Sequence, residues 1–265
     1  MYRFFGKLFL PLPVIVLTIV LFLFSGCAVH SGPRNFAKPQ ASQTRPATDA
    51  PEKLARAFET TAREGKKFWF SGWQMTKIQK RNIGFYSNGT YDKDKGYILD
   101  AVIFGQPFRY YRWGNDVYLS EEEKWRKVAP TQAPMEPFAD FSKLLFLADR
   151  AVQLPDEVLL SKKCSVYELT LGPADAINAA RSMGLDLSEN KETPSGAYFE
   201  KMNMKYKIWV GQKDNFIYQY KTETTMPVPD AGSLYQEVFF KFWDYNSSTV
   251  NVPGPEKIEP YLIKN

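Results

Sequence analysis

From Lys67 to Trp125 the chain is a series of aromatic, strand-like runs separated by very short turn signals, and this pattern narrows the fold more than any other feature. Lys67 to Thr76 is rich in Phe and Trp. Asn88-Gly89, the strongest short-range hairpin signal, lies between Ile83-Gly84-Phe85-Tyr86 and Tyr91. Gly96 to Phe104 is a third run, turned by Gly105-Gln106-Pro107. Phe108 to Trp113 is a fourth, turned by Gly114-Asn115. Val117 to Leu119 is a fifth, and Trp125 follows the acidic turn Glu121-Glu122-Glu123. The pattern predicts an antiparallel meander. Aromatic residues make up 15% of the chain, as suits a β-rich protein.

Helical spacing flanks and interrupts this meander. Pro51 suits a first helical position, Leu54, Ala57, Phe58 and Ala62 recur at helical intervals, and Gly65 stops the run. Beyond Pro130, Pro134 and Pro137, the residues Phe138, Phe141, Leu144, Leu145 and Ala148 recur at three and four and predict a second helix. A strand from Cys164 to Leu171, a helix from Pro173 to Met183 and a polar loop from Leu185 to Gly196 come next. A hairpin of Tyr198 to Val210 and Asn215 to Thr225 and a last strand from Ser233 to Asp244 complete the order. The expected class is α+β: residues 51–265 form one domain, an antiparallel sheet with helices on one side.

The strands are apolar on both parities. Phe68 and Phe70 alternate with Trp69, Trp73 and Met75. Leu234, Val238, Phe240 and Phe242 alternate with Tyr235, Phe239 and Trp243. A sheet with one wet face would alternate more cleanly, so both faces are expected to be partly covered. A strongly curved sheet whose concave side is plugged by helices, or left as an apolar cavity, would produce this pattern.

The N-terminus has its own grammar. Arg3 and Lys7 precede an apolar stretch, Leu8 to Phe24, and then Ser25-Gly26-Cys27. Basic, apolar, then small is the order of a secretory signal. Ending on a cysteine, it resembles a bacterial lipoprotein signal with its lipobox, although Phe24 stands where that pattern prefers Leu. The resemblance implies that residues 1–26 are removed and that Cys27, diacylated through sulfur, becomes the first residue. An uncleaved anchor is the alternative; Leu8 to Phe24 is at the short edge of what spans a bilayer, and Pro11 and Pro13 break its first turn. Either way, the chain beyond residue 27 lies outside the cytoplasm. Residues 27–50 carry Pro33, Pro39 and Pro46 among small polar residues and read as a tether spanning roughly 25–30 Å. With two membranes, Ala28 after the cysteine favours the outer membrane, facing the periplasm; with one, the protein stays on the outer face of the plasma membrane.

Several chemistries find no support. The sole histidine is His30, inside the tether, so the folded part can assemble neither a histidine-based nucleophile nor a His/Cys zinc site. No Gly-rich phosphate loop or dinucleotide fingerprint is present, and no cofactor is expected. The 34 basic and 29 acidic residues are too balanced and too evenly spread for a nucleic-acid footprint. Cys164, left alone once Cys27 is lipidated, reads as a small buried hydrophobe. Asp92, Asp94, Asp100 and Glu168 are the carboxylates from which a hydrolase would have to choose, against a simpler reading as turn and surface acids.

Finally, the texture from Phe68 to Pro253 resembles the bacterial lipoprotein-carrier superfamily of LolA/LolB-like proteins. The likeness is carried by Phe70-Ser71-Gly72-Trp73, by Arg109 to Tyr118 followed by Trp125, and by Lys163 to Leu169. Tyr206 to Val210 leading into Ile217 to Tyr220, and Phe242 to Asn246 leading to Pro253, add to it. The resemblance implies a curved half-barrel with a hydrophobic concave face closed by helices, binding acyl chains or other amphiphiles. Phe138, Phe141 and Leu145 would then sit on a lid or plug helix, and Trp69 and Trp73 on a ligand-facing strand. The expected function is binding or transfer of a lipid or other hydrophobic ligand, without covalent chemistry, by a membrane-anchored protein. The alternative is an interaction lipoprotein that only scaffolds an envelope protein partner.

Overall fold

The computed structural model describes residues 49–79, 81–103, 105–121, 124–129, 141–182, 201–228 and 232–261. The lipobox and tether, Phe138 and the Leu185–Gly196 loop lie outside these residues. Helix α1 (Ala50–Glu64) leads into β1 (Lys67–Ile78), β2 (Arg81–Asp92), β3 (Gly96–Ile103), β4 (Gln106–Trp113), β5 (Asp116–Glu121) and β6 (Lys124–Val128). A 3₁₀ helix (Phe141–Arg150) precedes β7 (Val152–Leu159) and β8 (Lys162–Leu171). Helix α2 (Pro173–Ser182), β9 (Asn203–Gly211), β10 (Ile217–Val228) and β11 (Gly232–Trp243) follow, and two short 3₁₀ turns (Pro255–Lys257 and Glu259–Tyr261) come after them.

Among the described residues, eleven strands form one antiparallel sheet in the order β6-β5-β4-β3-β2-β1-β11-β10-β9-β8-β7. The chain winds outward from β1 to one edge, crosses to the other edge, and winds back until β11 pairs with β1, Trp69 opposite Trp243 and Ile78 opposite Leu234. The sheet is not closed: β6 and β7 are its edges. Both edges are poor templates for further pairing. Strand β6 is short and carries Lys124 and Lys127, while β7 contains Pro155 and shifts register between Leu154 and Glu157. Strand β7 was not expected from the sequence, because Pro155-Asp156-Glu157 splits its apolar residues and breaks the alternation a strand signal needs.

The Asn88-Gly89 expectation is overturned. Both residues lie inside β2, where Gly89 is opposite Phe70 on one side and Leu99 on the other. The β1–β2 turn falls at the end of β1 instead, with Gln79 in the left-handed region at φ 54°. Gly89 is there for space: a Cβ would overlap the Ile98 carbonyl oxygen and come within 2.8 Å of the Phe70 ring. Glycine within a strand often marks such a close approach.

Burial resolves the two-faced strands. In β1 the side of Phe68, Phe70, Gly72, Gln74 and Thr76 is buried and that of Trp69, Ser71, Trp73 and Met75 is half-buried. Strand β11 alternates in step, with Phe242, Phe240, Val238, Gln236 and Leu234 buried. The main core lies on this inner face, where Leu54, Ala57 and Phe58 of α1 and Phe141, Leu144, Leu147 and Ala148 of the 3₁₀ helix join it. Each large side chain buried this way contributes about 2–3 kcal/mol. Two smaller clusters lie on other strands of the sheet, apart from the main core. Tyr111, Tyr118 and Trp125 pack with Val252 and Ile258 of the C-terminal segment, and the Tyr111 hydroxyl donates to the Pro253 carbonyl at 2.7 Å. Cys164, Val166, Trp209 and Tyr218 form the other. Burial raises the Cys164 thiol above its ordinary pKa, as the small-hydrophobe reading expects.

The second helix is 3₁₀ rather than α. Of its buried residues, Phe141, Leu144 and Leu147 stand three apart, so three residues per turn stack them in one row, with Ala148 buried beside Leu147. Leu145 therefore falls off the buried row and is half-exposed, and Phe146 is 43% exposed.

The two ends of the fold are held together at Asn246. Its side-chain oxygen accepts from the Lys66 and Lys67 amides at 2.9 and 3.3 Å, and its amide donates to the Glu64 carbonyl at 2.8 Å. Its backbone is left-handed, at φ 58°, which asparagine tolerates better than alanine. Asn246→Ala is expected to cost about 1–3 kcal/mol, read as a lower urea midpoint with an unchanged slope. An unchanged midpoint would show that these bonds hold nothing.

Candidate functional site

Where α1 ends, the inner face opens into a cavity of about 690 Å³. Its sheet wall is Phe68 of β1, Tyr91 at the end of β2, Phe242 of β11, and Tyr245 just beyond β11. Its other wall is the last turn of α1 together with Phe141, Ser142, Lys143 and Leu145 of the 3₁₀ helix. Phe68 is the hub of the aromatic part. Its ring stacks on Tyr91 at 4.9 Å, meets Phe242 edge-on at 5.5 Å and lies 5.3 Å from Tyr245. Phe141 bridges helices and sheet, stacked on Phe58 at 6.0 Å and edge-on to Tyr220 at 5.8 Å and Phe242 at 6.2 Å. The Tyr245 hydroxyl donates to the Ile217 carbonyl at 2.6 Å, and burial holds its pKa well above the ordinary value, so the cavity presents it as a neutral, satisfied group.

Charge is confined to the mouth. Glu59, Arg63, Lys93 and Lys143 line it, three bases to one acid. The Lys93 ammonium donates to the Ala62 carbonyl at 3.1 Å, so it sits at the C-terminal end of α1, where orphan carbonyls favour a cation. Arg63 reaches the neighbouring Glu64 at 2.7 Å. An aromatic pocket with a cationic lip can hold the apolar body of an amphiphile while leaving its polar end in solvent.

Beyond the cavity, the inner face itself turns polar. Gln74, Thr76 and Gln236 are buried, and the Thr76 hydroxyl accepts from both glutamine amides, at 2.8 and 3.2 Å. Among the described residues, the side-chain oxygens of Gln74 and of buried Ser87, two strand rows away, have no hydrogen-bond partner.

Of the candidate residues, Phe141 and Leu145 line this cavity together. Trp69 and Trp73 do not: both sit on the opposite face of β1, because side chains alternate along a strand. Trp73 stacks there on Phe239, its cross-strand partner, at 5.6 Å. The sequence reading missed Phe68, Tyr91, Phe242 and Tyr245. The signal was present in the inner parity, whose small residues Gly72 and Gly89 make room for the Phe240 and Phe70 rings.

Three of the four carboxylates considered for hydrolysis are held in ion pairs. Asp92 is buried and pairs with Lys67 at 3.2 Å, Asp100 pairs with Arg109, and Glu168 pairs with Lys205 at 2.8 Å. Asp94 is exposed, its amide donating to Asp92 at 3.1 Å in the β2–β3 turn. Among the described residues no group of three or more His, Cys, Asp or Glu side chains could hold a metal ion.

No family model matches the sequence. No curated protein matches it. Similar solved structures include LprF from Mycobacterium bovis, 9% identical with a TM-score of 0.43, covering 79% of this chain and 98% of that one. The Mycobacterium tuberculosis lipoprotein LppX is 9% identical with a TM-score of 0.44, covering 78% of this chain and 100% of that one. A Vibrio parahaemolyticus domain described as an outer membrane lipoprotein-sorting protein is 10% identical with a TM-score of 0.26, covering 81% of this chain and 97% of that one. At such low identity and TM-scores, the geometry of the cavity carries the functional reading of this chain.

Proposed function

We propose that the protein is a lipoprotein, anchored outside the cytoplasm through acyl chains on Cys27, that binds or passes on a lipid or other amphiphile. The ligand occupies the cavity between the helices and the inner face. The carrying observation is the combination in one 690 Å³ cavity of an aromatic wall of Phe68, Phe242 and Phe141 with a mouth of mainly basic residues. In this reading the sheet is a half-barrel, and α1 and the 3₁₀ helix close its concave side. The step involves no covalent chemistry; the gain comes from apolar area removed from water, about 25 cal/mol per Å². Residues 27–50 act as a tether that keeps the mouth within reach of a membrane. The interaction-scaffold reading has no comparable feature to explain the cavity.

The test is native mass spectrometry and lipid extraction of the domain beginning at Asp49. A co-purifying amphiphile, displaced by an apolar fluorescent probe that brightens on binding, is the expected result. An empty domain that also fails to bind the probe would leave the scaffold reading standing.

A further inference from the structure

The hairpin joining β7 and β8 is built against local preference. Its two central residues, Leu160 and Ser161, are both left-handed, at φ 51° and 62°. That is the backbone of a tight hairpin turn in which Asn-Gly is favoured and a bulky residue is an outlier. The tip is also apolar where it should be wet: Val158 is 74% exposed and Leu160 is 47% exposed. Strained residues persist at functional sites when something other than stability retains them.

Charge around the tip is arranged in one sense. The nearby acids are occupied from within the protein. Glu157 accepts from Lys207 and Trp209 at 2.8 and 2.7 Å. Burial opposes its ionisation, and these bonds nonetheless hold its carboxyl below the ordinary value. Asp156 accepts from Gln212 at 2.7 Å, and Asp214 accepts from Tyr218 and lies 3.3 Å from Lys162. Lys163, at the start of β8, and Lys213, in the β9–β10 turn, are exposed and make no ion pair among the described residues. The start of β8 and that turn are tied by the Gln212 amide donating to the Lys163 carbonyl at 3.0 Å.

Position completes the picture. Register carries the row of Phe242 across β10 and β9 to about Ser165 of β8. The tip thus lies at the end of the sheet where the cavity opens, extending roughly 13 Å beyond that row along the strand. Exposed apolar side chains flanked by unpaired lysines match the interfacial layer of a bilayer with anionic headgroups.

We propose that the β7–β8 tip is a membrane-docking element: Val158 and Leu160 enter the interface of an anionic bilayer while Lys163 and Lys213 meet its headgroups, turning the cavity mouth toward the lipid. This rests on the reading that the domain works beside a membrane.

The experiment reconstitutes the full chain in vesicles containing phosphatidylglycerol and places a polarity-sensitive fluorophore at Ser161→Cys or, at the opposite end of the sheet, at Gln106→Cys. Cys164 is fully buried and is not expected to label. Lipids spin-labelled near the headgroup are expected to quench the probe at 161 and not at 106. Val158→Ser with Leu160→Gly is expected to abolish that quenching, with an equal or higher urea midpoint and unchanged binding of an apolar probe in the cavity. Raising salt toward 1 M, where screening acts over about 3 Å, is expected to weaken it. Chain that floats with vesicles but shows equal quenching at both positions, none at 161, or quenching that survives the double substitution overturns the docking element alone. Chain that does not float overturns the membrane location and the docking element together. Loss of cavity-probe binding in wild type counts only against the ligand reading.

Discussion

Gly89→Val is expected to destabilise the domain by about 3 kcal/mol or more, one of the largest single-site effects in the molecule. Gly89 lies in the middle of β2, flanked by Phe70 and Leu99 in the neighbouring strands. Any Cβ there overlaps the Ile98 carbonyl oxygen, which is backbone and cannot step aside, and crowds the Phe70 ring, which is fully buried. Strand propensity pulls the other way, since valine is favoured over glycine in strands by about 1 kcal/mol at most. Steric overlap therefore wins. The urea midpoint should fall by about 1 M or more, given slopes of about 2–3 kcal/mol/M for a domain of this size. Gly105→Ala is the control, because a Cβ there meets nothing within 4 Å and only the left-handed backbone, at φ 78°, opposes it. A Gly89→Val protein within 1 kcal/mol of wild type, a threshold set by the ordinary range of mutational effects, would mean that β2 is not where the register places it.

Leu145→Arg should have the largest effect on ligand binding. Leu145 lines the cavity but is half-exposed and lies off the buried row of Phe141, Leu144 and Leu147. An arginine there can turn its head to solvent, so the fold should survive. With its head outside, its stem still occupies the cavity; with its head inside, an apolar ligand would have to desolvate a charge. Loss of apolar-probe affinity by at least tenfold is expected, equivalent to about 1.4 kcal/mol. Titration of the probe against wild type and variant, with unfolding measured in parallel, checks it. Undiminished affinity in a folded variant would place ligand binding somewhere other than this cavity. Phe141→Ala is the less clean test. It removes a residue in ring contact with Phe58, Tyr220 and Phe242, so loss of stability of about 3–5 kcal/mol would accompany any loss of binding.

The range of the forces involved decides which parts of the fold were legible in the sequence. The helix after Pro51 and the turns at Gly105 and Gly114 depend on local backbone preference and were legible. The Asn88-Gly89 pair carried a strong local signal that was wrong, because a tertiary need for space at Gly89 produces the same two letters as a turn. Strand β7 was invisible, since pairing to β8 alone suffices to make Pro155, Asp156 and Glu157 extended. Phe141 and Leu145 both come to the cavity, Phe141 on the buried row of the 3₁₀ helix and Leu145 just off it. Trp69 and Trp73 lie on the other face of β1 from the cavity, and alternation alone says which residues share a face but not which face is inside.

The meeting of β1 with β11 has a kinetic consequence. Within each half of the sheet, most strands pair with a neighbour in sequence across a tight turn. The seam from Trp69–Trp243 to Ile78–Leu234 joins partners at opposite ends of the domain. Closing it costs the entropy of the whole intervening chain before the seam's own contacts repay it. The two half-meanders are therefore expected to form early and the seam to close last, leaving the edges of β1 and β11 as the transiently unpaired strands on which misassembly between nascent copies would begin.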